Sequence, residues 1–169
     1  GLALQADGKI VVAGYARFAG KRDVLVARFT AAGLLDGSFG ERGYVTYAGA
    51  GDGTDIGFGV AVQADGRIVV AGEARHRDSQ DALLLRYTAD GRLDDSFGAG
   101  GVALYNGGAG DADKCFAVAV APDGGIVCVG SSIVAAREDV LVLKVTADGR
   151  LDPSFGTGGV VTHSGPGDE

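Results

Sequence analysis

The chain of 169 residues is 46% hydrophobic and 22% charged, which suits a soluble domain large enough to bury a core. Its net charge of −7 argues against a nucleic-acid backbone as partner, which needs a basic face, and no apolar run approaches the roughly 20 residues of a membrane-spanning helix. The 31 glycines against 3 prolines recur at fixed places instead of in tracts, a sign of many tight turns and not of a disordered linker.

In chain order, the first pattern is an apolar run, Leu2 to Gln5, followed by Asp7-Gly8 and then Lys9-Ile10-Val11-Val12-Ala13-Gly14. An Asp-Gly pair between two β-prone runs predicts a hairpin with a two-residue type I′ turn; its strands are named B and C. Strand D follows a variable loop at Asp23 to Thr30. Its later copies, such as Ala82-Leu83-Leu84-Leu85 and Val140-Leu141-Val142-Leu143, are apolar without alternation, as in a strand covered on both faces. Ala32-Gly33 then closes a turn into Leu35-Asp36-Gly37-Ser38-Phe39-Gly40. Strand A is expected from Tyr44 to Ala48, leading through a glycine-rich loop into the next strand B.

These features return at one fixed interval, the same from Asp36 to Asp94 as from Asp94 to Asp152. The Asp-Gly turn recurs at Asp65-Gly66 and Asp123-Gly124, and strand D at Asp81 to Thr88 and Asp139 to Thr146. The Leu-Asp-x-Ser-Phe-Gly stretch recurs at Leu93 to Gly98 and Leu151 to Gly156, and strand A at Val102 to Asn106 and Val160 to Ser164. Four short antiparallel strands per unit, buried on both faces at one fixed period, predict an all-β fold, a β-propeller of four-stranded antiparallel blades with three repeats in the chain. The expected organisation is a single propeller or half-propeller over 1–169, with units at 1–42, 43–100 and 101–158 and a closing strand at 159–165. In this reading the first unit lacks its own strand A, and the last strand A lacks a following strand B. Such open edges invite association. Propellers usually have about 4–8 blades, so the ring is expected to be completed by a second copy, head to tail, giving six blades, or by neighbouring blades of a longer chain. Neither an initiating methionine nor a signal peptide stands in the sequence, as in a mature product or part of something longer.

The two cysteines, Cys115 and Cys128, test the hairpin register. A two-residue turn at Asp123-Gly124 would pair 121 with 126, 119 with 128 and 115 with 132. The cysteines would then lie about four residues apart along the strands, roughly 13 Å, beyond disulfide reach. Cys128 stands where the other units have Val12 and Val70 and is expected to pack as a small apolar side chain.

The string DG[KR]IVVAG, then D-x-x-[LV]-x-[RK], then LDxSFGxxG resembles the delta-60 repeat family, bacterial β-propeller repeats of large surface or secreted proteins. The resemblance covers all three units, with Pro122, Gly125 and Cys128 departing from the pattern in the third. It implies a propeller in a bacterial, extracellular or cell-surface setting. It implies no established activity and carries over no catalytic residue.

The Asp, Ser and Phe of the recurrent motif invite a catalytic reading, but three copies spread around a ring cannot form one active site. Asp and Ser in a turn cap backbone N–H groups, and a Phe buried between blades is worth roughly 1.5–3 kcal/mol. The motif is therefore expected to staple the D–A junction. No GxSxG, HExxH or CxxC signature is present, and no catalytic residue is assigned. Gly14 to Lys21 departs from a P-loop in spacing and has Arg22 in place of Ser or Thr. The acidic A–B loops offer carboxylates and carbonyls at Asp52, Asp55, Asp111 and Asp113 that would suit Ca²⁺; no other cofactor is expected. Strand A is expected to be innermost, by analogy with other propellers, which would put Tyr47, Tyr105 and His163, with Asn106 and Ser164, at a channel mouth able to hold a sugar or small polar ligand. Strand alternation puts the A–B and C–D loops on one face, where the units differ most, with basic C–D loops (Arg17, Lys21, Arg22; Arg75, His76, Arg77; Arg137) beside acidic A–B loops. The expected function is a non-catalytic scaffold or recognition module for a protein or glycan ligand. The alternative is an enzyme of lyase or hydrolase type with its site on that loop face.

Overall fold

The computed structural model describes residues 1–49, 53–76, 79–108, 112–134 and 137–165, and these form strands and turns without a helix. Three antiparallel four-stranded meanders follow one another. The first is β1 (Leu2–Leu4), β2 (Ile10–Phe18), β3 (Lys21–Phe29) and β4 (Tyr44–Tyr47). The second is β5 (Asp55–Val62), β6 (Ile68–His76), β7 (Ser79–Tyr87) and β8 (Val102–Tyr105). The third is β9 (Ala112–Val120), β10 (Ile126–Val134), β11 (Arg137–Val145) and β12 (Val160–His163). Strands of one sheet pair in chain order, and a parallel bridge, Gln80 to Ala112, links the second sheet to the third.

Strand A does not open a new sheet. It closes the preceding one: β4 pairs with β3 (Val24 opposite Tyr47), β8 with β7 and β12 with β11. The first sheet therefore has its fourth strand, and strand A is the outer edge of each sheet and not the inner one. Inner positions go to β1, β5 and β9, which run closest together. A Cβ on Gly59 would fall 2.9 Å from the Cα of Ala117, and Phe58 meets Phe116 edge-on at 5.6 Å.

The B–C turn also differs from the expected type. Gly8 amide donates to the Gln5 carbonyl and Gln5 amide to the Lys9 carbonyl, and only Gly8, at φ 81°, is left-handed. This is a three-residue loop, a type I turn followed by a glycine bulge. The Asp7 carboxylate accepts the Lys9 amide at 3.2 Å, with the same contact at Asp65 and Asp123, so aspartate favours the turn without a positive φ. The two-residue turn with both φ positive lies instead at Ala19-Gly20, in the first C–D hairpin.

The register moves accordingly: Val120 faces Ile126, and a bulge at Val129/Gly130 puts Cys115 opposite Gly130. Cys115 and Cys128 become diagonal neighbours with Cα atoms 5.7 Å apart and form a disulfide. The expectation of two separate thiols is thus corrected, because both the turn and the bulge shorten the separation along the strands.

Two apolar cores lie between sheets, built from equivalent positions of successive repeats. Val11, Ala13 and Val24 of the first sheet pack on Ile68, Val70 and Leu83 of the second. Val69, Ala71 and Ala82 of the second pack on Ile126, Cys128 and Leu141 of the third. Each sheet thus presents a leading face to its successor and a trailing face to its predecessor. Both faces of the middle sheet are buried, which is why strand D reads as a continuous apolar run.

Candidate functional site

The recurrent motif builds the joint between sheets. Asp36 Oδ1 accepts the Ser38 hydroxyl at 2.6 Å and the Ser38 amide at 3.1 Å, while Asp36 Oδ2 accepts Arg28 Nε at 2.8 Å. Arg28 then reaches across to donate to the Ala89 carbonyl of the next sheet at 2.6 Å, and its guanidinium lies 4.8 Å over the ring of buried Phe39. Gly40 amide donates to the Asp90 carbonyl at 2.8 Å. Arg86, Asp94, Ser96, Phe97 and Gly98 repeat this set toward Ala147 and Asp148. The Ser38 hydrogen bonds and the Arg28 guanidinium hold the Asp36 carboxyl down to about 2. At Asp94 burial pushes the other way but is outweighed by Ser96 and Arg86. The arginine is the functional partner that the motif alone does not reveal, although its recurrence with the repeat at Arg28, Arg86 and Lys144 is visible in the sequence. In the third sheet Lys144 binds Asp123 at 2.9 Å and Asp152 at 3.0 Å instead.

The opposite end of the sheets carries the C–D hairpins and the returns from strand A to strand B. At the first hairpin tip Arg22 stacks over Tyr15 at 4.9 Å, Arg17 lies opposite Arg22, and Tyr15 and Phe18 are about half exposed. At the same end Asp55 is buried and accepts the Gly49 amide at 2.6 Å, and Asp113 likewise accepts Gly107 at 2.6 Å. These carboxylates tie Gly49 and Gly107, just past the outer strands, to the start of the inner strand of the next sheet. Burial pushes the Asp55 carboxyl up, Gly49 and Arg75 amides pull it down, and the charges of Asp23 and Glu73 raise it further. Burial and Asp55 also raise the Tyr47 hydroxyl. Glu73 is buried with Lys114 of the third sheet at 3.4 Å.

The residues expected at a channel mouth are spread along outer edges. Tyr47 and Tyr105 end β4 and β8 and pack against the two apolar cores, while His163 ends β12 and is exposed. Asn106 donates to Asp81 at 2.8 Å, and Ser164 is half-buried. They do not share one site, because the strand that carries them lies at the outer edge of each sheet. Of the four calcium candidates, Asp52 and Asp111 lie outside the described residues, as does Arg77, and Asp55 and Asp113 serve the loop returns. Among the described residues no group of three His, Cys, Asp or Glu side chains could hold a metal ion. No helix among them is long and apolar enough to cross a membrane.

Grooves open at the outer rim between sheets. One of about 330 Å³ is lined by Glu41, Tyr44, Val45, Tyr87 and Leu93; its counterpart of about 90 Å³ includes Ala103, Tyr105, Val145 and Leu151. Burial pushes the Tyr87 hydroxyl up, and that oxygen has no hydrogen-bond partner among the described residues.

No curated protein matches the chain. The sequence profile of a family described as a domain of unknown function (DUF5122) β-propeller matches residues 5–39, 63–97 and 121–155, more than half of the chain. Each matched segment runs from the residue that follows an inner strand to the phenylalanine of the joint. The repeat, the meanders and the joint thus agree with the profile, and the chain belongs to the DUF5122 β-propeller family, its sheets being propeller blades.

Proposed function

We propose that this β-propeller repeat domain is a non-catalytic scaffold of a bacterial surface or secreted protein, and that it recognises an acidic glycan at the end of the blades carrying the C–D hairpins. The bacterial setting follows from the delta-60 resemblance. The observation that carries the recognition reading is the first hairpin tip, where Arg22 stacks on Tyr15 beside Arg17 and the half-exposed Phe18. A guanidinium on an aromatic face offers stacking for a sugar ring and a planar fork for its carboxylate. The tip is particular to this blade: the positions equivalent to Tyr15 are Glu73 and Ser131, whereas the joint at the other end is nearly the same in each unit. Calorimetric titration with polygalacturonate should show binding that weakens at least tenfold in Arg22→Ala and Tyr15→Ala. Absence of binding by the unmodified chain, or binding by both variants as tight as that of the unmodified chain, would remove this reading.

The lyase or hydrolase alternative rests on the buried Asp55 at the same end, raised by burial and by the charges of Asp23 and Glu73 and itself raising the Tyr47 hydroxyl. Perturbed groups gathered in one place are a reason to test for catalysis. Turnover of the polysaccharide that Asp55→Asn abolishes, with binding retained, would bring that alternative forward.

A further inference from the structure

The two grooves at the outer rim are equivalents that differ in chemistry. Between the second and third blades the lining is apolar apart from Tyr105, and the groove measures about 90 Å³. Between the first and second blades Val45, Gly91 and Leu93 take the places of Ala103, Gly149 and Leu151, in a groove of about 330 Å³. Here Tyr87 stands where the other groove has Val145, and Glu41 joins the lining, its equivalents being Ala99 and Thr157. The apolar part of the rim is thus shared, and the polar part is particular to one pair of blades. These two blades bury their facing surfaces on each other, so the groove is an opening at a finished joint and not a face awaiting another blade.

Tyr87 is 2% exposed, and its hydroxyl has no hydrogen-bond partner among the described residues. Phe29 holds the same position in the first blade, so packing there needs no hydroxyl. A buried hydroxyl left unpaired destabilises the fold, and one lining a groove is a partner offered to an occupant. Glu41 is exposed and forms no ion pair among the described residues. The other charges of the rim are settled. Asp90 and Arg92, which line an adjoining groove of about 410 Å³, pair with each other at 3.3 Å, and Arg42 lines neither groove. Glu41 is therefore the net charge of the site.

An unpaired carboxylate calls for a cation, and an ammonium carries three donors, enough for the Glu41 carboxylate and the Tyr87 oxygen together. An alkyl stem on that ammonium would cover the apolar surface of Val45 and Leu93. We propose that the groove binds a primary alkylammonium group, with Glu41 and Tyr87 as its polar partners and Val45 and Leu93 against its stem. The site lies on the outer rim and not at the hairpin tips, so the inference stands apart from the glycan reading.

Butylamine hydrochloride titrated into the 169-residue chain at neutral pH should shift the amide NMR signal of Gly91 saturably. Glu41→Gln should weaken binding about tenfold or more, the worth of a charge-assisted hydrogen bond. Tyr87→Phe, which restores the residue type of Phe29, should fold normally and weaken binding about threefold or more, the worth of a neutral one. Glu138→Gln, at an exposed carboxylate of the third blade, should leave the titration unchanged, and n-butanol should bind about tenfold more weakly than the amine. A lysine tripeptide with blocked ends distinguishes the sources of such a group. Saturation of the same signal by the tripeptide assigns a lysine side chain as occupant, and saturation by butylamine alone assigns a free amine. No saturable shift at Gly91 with either probe would overturn the inference. So would affinity indifferent to Glu41→Gln and Tyr87→Phe, an equal loss in Glu138→Gln, or butanol binding as tight as that of butylamine.

Discussion

Two aspartates show how position sets the sense in which a carboxylate affects stability. Asp94 is held below its ordinary value of 3.8 by Ser96 and Arg86 against the cost of burial. Its contribution is therefore present above that value and is lost as the pH falls through the lowered one. Asp55 is raised by burial and by Asp23 and Glu73, so its contribution is present below 3.8 and is lost as the pH rises through the raised value. Asparagine substitutions separate the two cases. Asp94→Asn leaves the buried Arg86 without its counter-charge and should cost about 3 kcal/mol at pH 7, the deficit shrinking in acid. Asp55→Asn keeps an oxygen for the Gly49 amide and removes a buried charge, so it should leave the chain equally or more stable at pH 7. Denaturant titrations between pH 3 and 7 measure both, and a stabilised Asp94→Asn or an Asp55→Asn destabilised most at neutral pH would contradict these assignments. The motif aspartates could be read as structural from their recurrence. The arginine could not be joined to them, because eight residues and a turn separate them in the chain.

At the level of elements, the turns and bulges governed what could be read. The strands follow from β-prone runs between turn signals, but Asp-Gly does not distinguish a two-residue turn from a three-residue loop, since both end on a left-handed glycine. One residue of loop and one bulge together turned a pair of apparently separate cysteines into diagonal neighbours. The bulge glycines offer a test. A Cβ on Gly72 would lie 2.0 Å from the Ile56 carbonyl oxygen, and one on Gly130 1.8 Å from that of Lys114, while Gly14, the equivalent in the first blade, has nothing within 4 Å. Gly72→Ala should therefore cost at least about 1–3 kcal/mol, whereas Gly14→Ala should stay within about 0.5 kcal/mol of the parent. Comparable losses in the two variants, measured by urea unfolding, would show that the bulge does not set the register.

For the whole molecule, the fixed period made the architecture legible and left one connection open. A repeat reads the same whether strand A pairs with the strand D before it or the strand B after it. The choice is made by contacts that cross the junction: Arg28 amide donates to the Gly43 carbonyl, turning strand A back along its own blade, and Asp55 fastens the return to the next inner strand. That choice moves Tyr47, Tyr105 and His163 from the expected channel to the outer edges and leaves the hairpin tips as the variable surface. The joint between blades is the central claim, and amide hydrogen exchange tests it most directly. Gly40 and Gly98 donate to carbonyls of the following blade. Both amides are predicted to exchange as slowly as those of β6, and in Asp94→Asn Gly98 should lose that protection before β6 does. Exchange of Gly40 and Gly98 at the rate of an exposed turn while β6 stays protected would show that the motif only shapes its own turn and does not join the blades.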